Sequence, residues 1–330
     1  MGIYTKTPSA VSAIGNSHSD WRTRENYITL KDTLFDKVQK TVDEKLGDDK
    51  MNELFGTGKM SKEYESEMAI LANANTMPIL GVTAGINDLR FTSNQEGFPY
   101  QWTSTGYMLG AKWTNNWKNE EGKLGVRDVG RASKDLQNAS IRTMTNIKAD
   151  ILNRGISAST CPFLCSDGEG LVADDRVNPD PRAPNWSNLI VQGAITEDYL
   201  FDAMLFAKRM ISPNGDRLSN EILKIFIPEA SELDAYHVSK TAKDVDTTNN
   251  TVNWAFSRFN FQTLKYLSTD RIFFKVGTDM DNGLKIKWYN TFNIQPLTFA
   301  MPHVDGVVAQ MAFSIGCVDP RREILGGFLA

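Results

Sequence analysis

The chain has 330 residues, 41% hydrophobic and 23% charged, enough for one large domain or two lobes with a true core. A net charge of −4 argues against a general nucleic-acid coat, and three cysteines fit a reducing compartment better than a disulfide scaffold. No apolar run approaches the roughly 20 residues of a bilayer-spanning helix, so no membrane association is expected, and the N-terminus lacks a signal peptide's basic and apolar regions.

Residues 1–26 are rich in Ser, Thr, Asn and Gly and read as loose. Leu30, Leu34, Val38, Val42 and Leu46 then recur at helical spacing, with Gly47 as a stop. A second helix is expected to start at Ser61, with Glu63 and Glu65 in its first turns, and to end before Pro78. From residue 85 to 125 a loose alternation with Asn94, Gly97, Pro99 and Gly106 reads as a long β-hairpin or extended loop.

This stretch contains "YQWTSTGYMLGAKWTNNWKNEEGKLG", which holds Trp102, Trp113 and Trp117 among polar neighbours. A tryptophan can bury about 150–250 Å², so these side chains need something to cover them.

Val129, Ala132, Leu136, Ala139, Met144, Ile147 and Ile151 trace the strongest helix, 126–154, about 40 Å long at 1.5 Å per residue. Its other face carries Arg127, Arg131 and Arg142, by default a solvated face. A Pro- and Asp-rich loop follows, then a helix opened by Thr196, a buried strand "LKIFIP", and a helix from Pro228 to about Thr241. The polar segment after it reads as a loop tip, and the remainder as strands: "FNFQTLKYL", "RIFFKVG", "GLKIKWYN", "NIQPLTFAM" and "VVAQMAFSIGCV". The class is α+β.

Sites of chemistry are few. "GTGKMS" lacks the first glycine of a phosphate loop and has Met60 where Ser or Thr should follow Lys59. Cys161 and Cys165 have no nearby histidine and read as small buried side chains. Asp167, Glu169, Asp174 and Asp175 lack the alternate ligand spacing of a calcium loop and read as solvated. No catalytic residues, metal or cofactor are expected.

The order of hairpin, long helix, mixed lobe and closing strands resembles tailed-phage major capsid proteins of the Hong Kong 97 type, closest to the Mu-like major head subunit. The segments that carry it are "DVGRASKDLQNASIRTMTNIKADILNRG", "CSDGEGLVADD", "SNLIVQGAITEDYLFDAMLFAKRMISPNGDRL", "LKIFIPEASELDA", "RIFFKVG", "GLKIKWYN" and "FSIGCVDPR", covering about 128–321.

The resemblance implies an N-terminal arm with helices (1–79) and an extended hairpin loop (80–125) lying over a neighbouring subunit. It further implies a peripheral lobe with the spine helix (126–195), an axial lobe (196–292) with a tip near 244–253, and C-terminal strands returning to the peripheral lobe (293–330). Trp102, Trp113 and Trp117, with Tyr100, Tyr107, Arg127 and Arg131, would make inter-subunit contacts. The implied function is self-assembly of hexamers and pentamers into an icosahedral head in the virion, built in the host cytoplasm. That head would enclose double-stranded DNA without sequence-specific binding. Portal, scaffolding and decoration proteins would be partners, and residues 1–26 would lie extended on a neighbour. An encapsulin-like nanocompartment shares the fold, and a soluble enzyme is the rival of another class.

Overall fold

Phe35, Val38 and Val42 point inward from helix α1, Arg24–Gly47, because their spacing returns them to one face. The computed structural model describes residues 24–47, 49–71, 95–114, 123–156, 158–213, 215, 217–240, 253–277, 283–298 and 304–329. These belong to two compact units: 1–49, 105–145 and 289–313 form the first, and 50–104, 146–288 and 314–330 the second.

In the first unit the inward face of α1 packs with Leu136, Phe292, Val307 and Ala309. Leu136 belongs to α2, Lys123–Arg154, the long helix that passes through both units. Strand β4, Thr105–Thr114, runs antiparallel to β10, Val304–Cys317, in a register from Thr114↔Val304 to Thr105↔Phe313. Strand β9, Leu284–Thr298, lies on the other side of β10, which leaves β4 at the edge.

The second unit holds a 3-10 turn, Lys50–Glu53, and β1, Gly56–Lys59, which pairs in parallel with the start of β9. Strands β2, Tyr64–Leu71, and β3, Gln95–Thr103, form an antiparallel pair. Five more strands make a sheet: β5 (Leu189–Gly193), β6 (Lys224–Pro228), β7 (Phe261–Leu264), β8 (Arg271–Lys275) and β11 (Ile324–Leu329). Their spatial order is β5-β11-β8-β6-β7.

Helix α3, Glu197–Arg209, is capped by Thr196, whose hydroxyl accepts the Tyr199 N–H at 3.2 Å. Its Leu200, Ala203 and Ala207 join Ile225, Ile227, Ile272 and Phe274 in the core. Helix α4, Glu232–Lys240, follows Pro228 by one 3-10 turn.

Three expectations change. The helix expected from Ser61 is strand β2: the Ser61 N–H and hydroxyl both donate to Glu65 Oε1, at 2.5 and 2.8 Å, closing a turn rather than capping a helix. Beyond it, "YESEMAIL" finds a full ladder on β3, and tertiary pairing overrides local propensity. The expected hairpin also divides. β3 pairs with β2 and β4 with β10, and between them Ser104 donates its N–H to Glu63 O at 2.9 Å. Pro99 is tolerated in β3 because a two-stranded ribbon leaves one backbone edge without a ladder. Finally, "GLKIKWYN" and "NIQPLTF" are one strand, β9, while β5 and β11 were not foreseen.

The buried line of α2 is Ser133, Leu136, Ser140, Met144, Lys148 and Leu152, more polar than the expected stripe. The Ser140 hydroxyl donates to Leu136 O at 2.9 Å, and Lys148, 1% exposed, donates to Asn52 Oδ1 at 2.5 Å. Residues 1–23, the tip at 244–252 and Trp117 lie outside the described residues.

Candidate assembly surfaces

The seven residues named for contacts divide between the units. In the second unit Trp102 on β3 is 0% exposed and packs with Met60, Tyr100 and Val318. Its indole N–H donates to Glu67 Oε2, and Lys287 Nζ sits 4.5 Å from the ring centroid. Trp102 is therefore covered by its own chain, which corrects its assignment to a neighbour's surface. Tyr100 meets it edge-on, with ring centroids 4.9 Å apart. The Tyr100 hydroxyl occupies the space where a side chain at Gly316 would project, so glycine is needed there. Burial holds that hydroxyl well above the ordinary tyrosine range.

In the first unit Tyr107 on β4 stacks on Phe313 at 5.0 Å and is half-buried, its hydroxyl raised by desolvation. Its neighbours are open: Met108 is 71% and Leu109 48% exposed, flanked by exposed Gly106 and Gly110. Successive strand residues face opposite sides, so exposure of both means that neither face of β4 is covered there. The outer backbone edge of β4 meets no other strand among the described residues.

Trp113 continues this strand, opposite Asp305. Arg127 and Arg131 follow on α2, with Arg131 exposed. The side chains of Trp113 and Arg127 lie outside the described residues. Met108 and Leu109 were missed in the sequence. The available signal was two adjacent large apolar residues bracketed by glycines, a pattern poor in partners for a core.

The acidic loop is less solvated than expected. Asp167 Oδ2 pairs with Arg176 Nη1 at 2.6 Å, and both side chains are almost wholly buried. Arg176 also donates to Asn188 Oδ1 at 2.9 Å and to Gly170 O. Asn188 in turn donates to Leu171 O and Ile324 O, tying the loop to β11. Asp174 and Asp175 are exposed as expected. Cys165 and Cys317 are buried thiols, and desolvation pushes Cys317 well above the ordinary range. "GTGK" is strand β1, with no helix after it to receive a phosphate. Among the described residues no three His, Cys, Asp or Glu side chains are placed to hold a metal, and no helix is long and apolar enough to cross a membrane.

No family model and no curated protein matches the sequence. Among solved structures the chain is similar to one from Mycobacterium phage Patience, with a TM-score of 0.49, 10% identity, and coverage of 92% of this chain and 88% of that one. It is similar to the capsid of the cyanophage P-SCSP1u, with a TM-score of 0.49, 9% identity, and coverage of 84% and 86%. A third neighbour is the SrpI encapsulin of Synechococcus elongatus PCC 7942, with a TM-score of 0.45, 8% identity, and coverage of 84% and 86%.

Proposed function

We propose that this chain is the subunit of a closed protein shell, a structural rather than catalytic protein. More particularly, we read it as the major head subunit of a tailed phage, of the Hong Kong 97 type and Mu-like in its motif order. The observation that carries the reading is β4: an edge strand exposing Met108 and Leu109, immediately before the long helix α2. A sheet edge with apolar side chains is a surface that association would cover. The ordered motifs from 128 to 321 supply the family.

In this reading 1–79 is the arm, 80–125 the extended loop, 126–195 the peripheral lobe, 196–292 the axial lobe and 293–330 the returning strands. Tyr107, Trp113, Trp117, Arg127 and Arg131 then contact neighbouring subunits, while Trp102 and Tyr100 support the base of the loop. A net charge of −4 suits a wall that encloses DNA without gripping its phosphates. Portal, scaffolding and decoration proteins are the partners that such a head takes.

Sizing of the expressed chain by sedimentation and electron microscopy tests the proposal. Closed particles of hexamers and pentamers are expected, and a monomer that persists at high concentration, with and without scaffold, would refute it. Packaged DNA in native particles identifies a phage head, and packaged protein cargo identifies a nanocompartment.

A further inference from the structure

A cleft in the second unit is lined by Ser166, Asp167, Val177, Trp186, Asp319 and Arg321, with β3 on one side. Its inner space is about 10 Å³, room for roughly one oxygen. Val177 is 53% exposed, so the cleft opens to solvent.

Two guanidinium groups flank the Trp186 ring, Arg321 at 4.5 Å and Arg176 at 5.2 Å from its centroid. They are not equivalent. Arg176 is matched by Asp167 and hydrogen-bonded throughout. Arg321 is 3% exposed, and its Nε and Nη1 have no hydrogen-bond acceptor. The nearest carboxylate oxygen, Asp319 Oδ2, stands 3.7 Å from Nε, too far for a hydrogen bond, while Asp319 Oδ1 accepts the Arg321 backbone N–H at 2.9 Å. The indole Nε1 of Trp186 also lacks an acceptor.

These orphaned side-chain groups are all donors. A water molecule accepts two hydrogen bonds but must place two hydrogens of its own, whereas a carboxylate only accepts and offers about four lone pairs. Burial, together with the Arg176 and Arg322 charges, outweighs Asp319 and Asp167 and lowers the Arg321 pKa, the mark of a cation short of compensation.

We propose that this cleft binds one carboxylate group, with one oxygen in the inner space accepting from Arg321 and Trp186 and the other toward the open mouth. The group is either the end of an acidic side chain from a second copy or a small free carboxylate. Only the first source rests on the shell reading; the site itself does not.

Full-length protein labelled with nitrogen-15 is titrated with sodium acetate, against sodium chloride at equal ionic strength. The Arg321 Nε–H and Trp186 Nε1–H resonances, assigned with Arg321→Lys and Trp186→Phe, are expected to shift together and saturate with acetate alone. Asp319→Asn removes the competing negative charge and should tighten acetate binding roughly fivefold, from a screened pair at about 4 Å. That variant keeps the test decisive if Arg321→Lys fails to fold.

Particles imaged without added carboxylate separate the sources. An acidic side chain of a second copy seated on Arg321 identifies the subunit, and a cleft that fills only with added acetate identifies a free ligand. No saturable shift in either protein, or the same shift with chloride, would overturn the proposal. Absence of particles would defeat the shell reading alone.

Discussion

Trp102 and Glu67 meet across the β2–β3 ribbon, where the indole N–H donates to Oε2 at 2.7 Å. The same oxygen accepts from Lys287 Nζ at 2.6 Å, so the carboxylate joins a buried ring to a cation that lies over that ring. This cluster explains why a large aromatic amid polar sequence neighbours is not exposed.

Trp102→Ala should therefore lower the stability of the unassembled subunit by about 3–5 kcal/mol, the cost of emptying a buried aromatic site. Trp102→Phe keeps much of the volume but loses the donor, and should cost about 1–3 kcal/mol. Urea unfolding monitored by circular dichroism checks both. Unchanged subunit stability with weakened assembly would return Trp102 to an interface.

Glu67 gives the cluster a pH dependence. Burial pushes its carboxyl up, but hydrogen bonds and charge from Lys287, with the Trp102 N–H, outweigh this and hold it below its ordinary value of 4.5. A lowered folded-state pKa contributes stability that is complete above the unfolded value and is lost as pH falls through the folded one. The loss should begin below about pH 4.5, the unfolded value. Glu67→Gln should flatten that part of the unfolding profile, and an unaltered acid limb would count against the cluster.

The Asp167–Arg176 pair should behave as a buried ion pair. Asp167→Ala strands a guanidinium in the interior and should cost about 3–5 kcal/mol, whereas replacing both partners by apolar residues of similar volume should cost far less. Chemical denaturation of the two single variants and the double variant measures the difference. Equal, additive losses would mean that the two groups act independently.

On β4 the expectation is reversed. Met108→Lys and Leu109→Lys alter exposed positions and should change subunit stability by no more than about 0.5 kcal/mol. Particle yield in sedimentation should nonetheless fall sharply, because a lysine on a strand edge opposes further pairing. Normal particles from both variants would remove β4 from the assembly surface.

The helices were legible because their signals are local. Val38 and Val42 repeat at helical spacing, Thr196 caps its own helix, and Pro228 precedes the next. The strand partners were not legible. Tyr64–Leu71 becomes a strand only because β3 reaches it, and nothing in eight residues announces a partner some 30 positions away. The burial of Lys148 and Arg176 was not legible either, because the groups that satisfy them, Asn52 and Asp167, are set by the folded chain and not by spacing. The β4 surface was half visible. Tryptophans marked the region, but which side chains stay open depends on which strand pairs with which.

The position of β11 bears on how the subunit is made. It lies between β5 and β8, with Gly326 opposite both Leu189 and Phe273, so β5 is not joined to β8, β6 and β7 until this strand is present. At about 5–20 residues per second a ribosome needs roughly 7–27 s to travel from β5 to β11. Throughout that interval β5 has an open inner edge, joined by that of β8 once residue 275 is made, and other nascent chains on the same message could pair with both. Chaperone shielding during synthesis is thus most needed late, between translation of β8 and of β11. Subunits whose translation aborts just before residue 324 should be the aggregating species, with β5 severed from the other three strands.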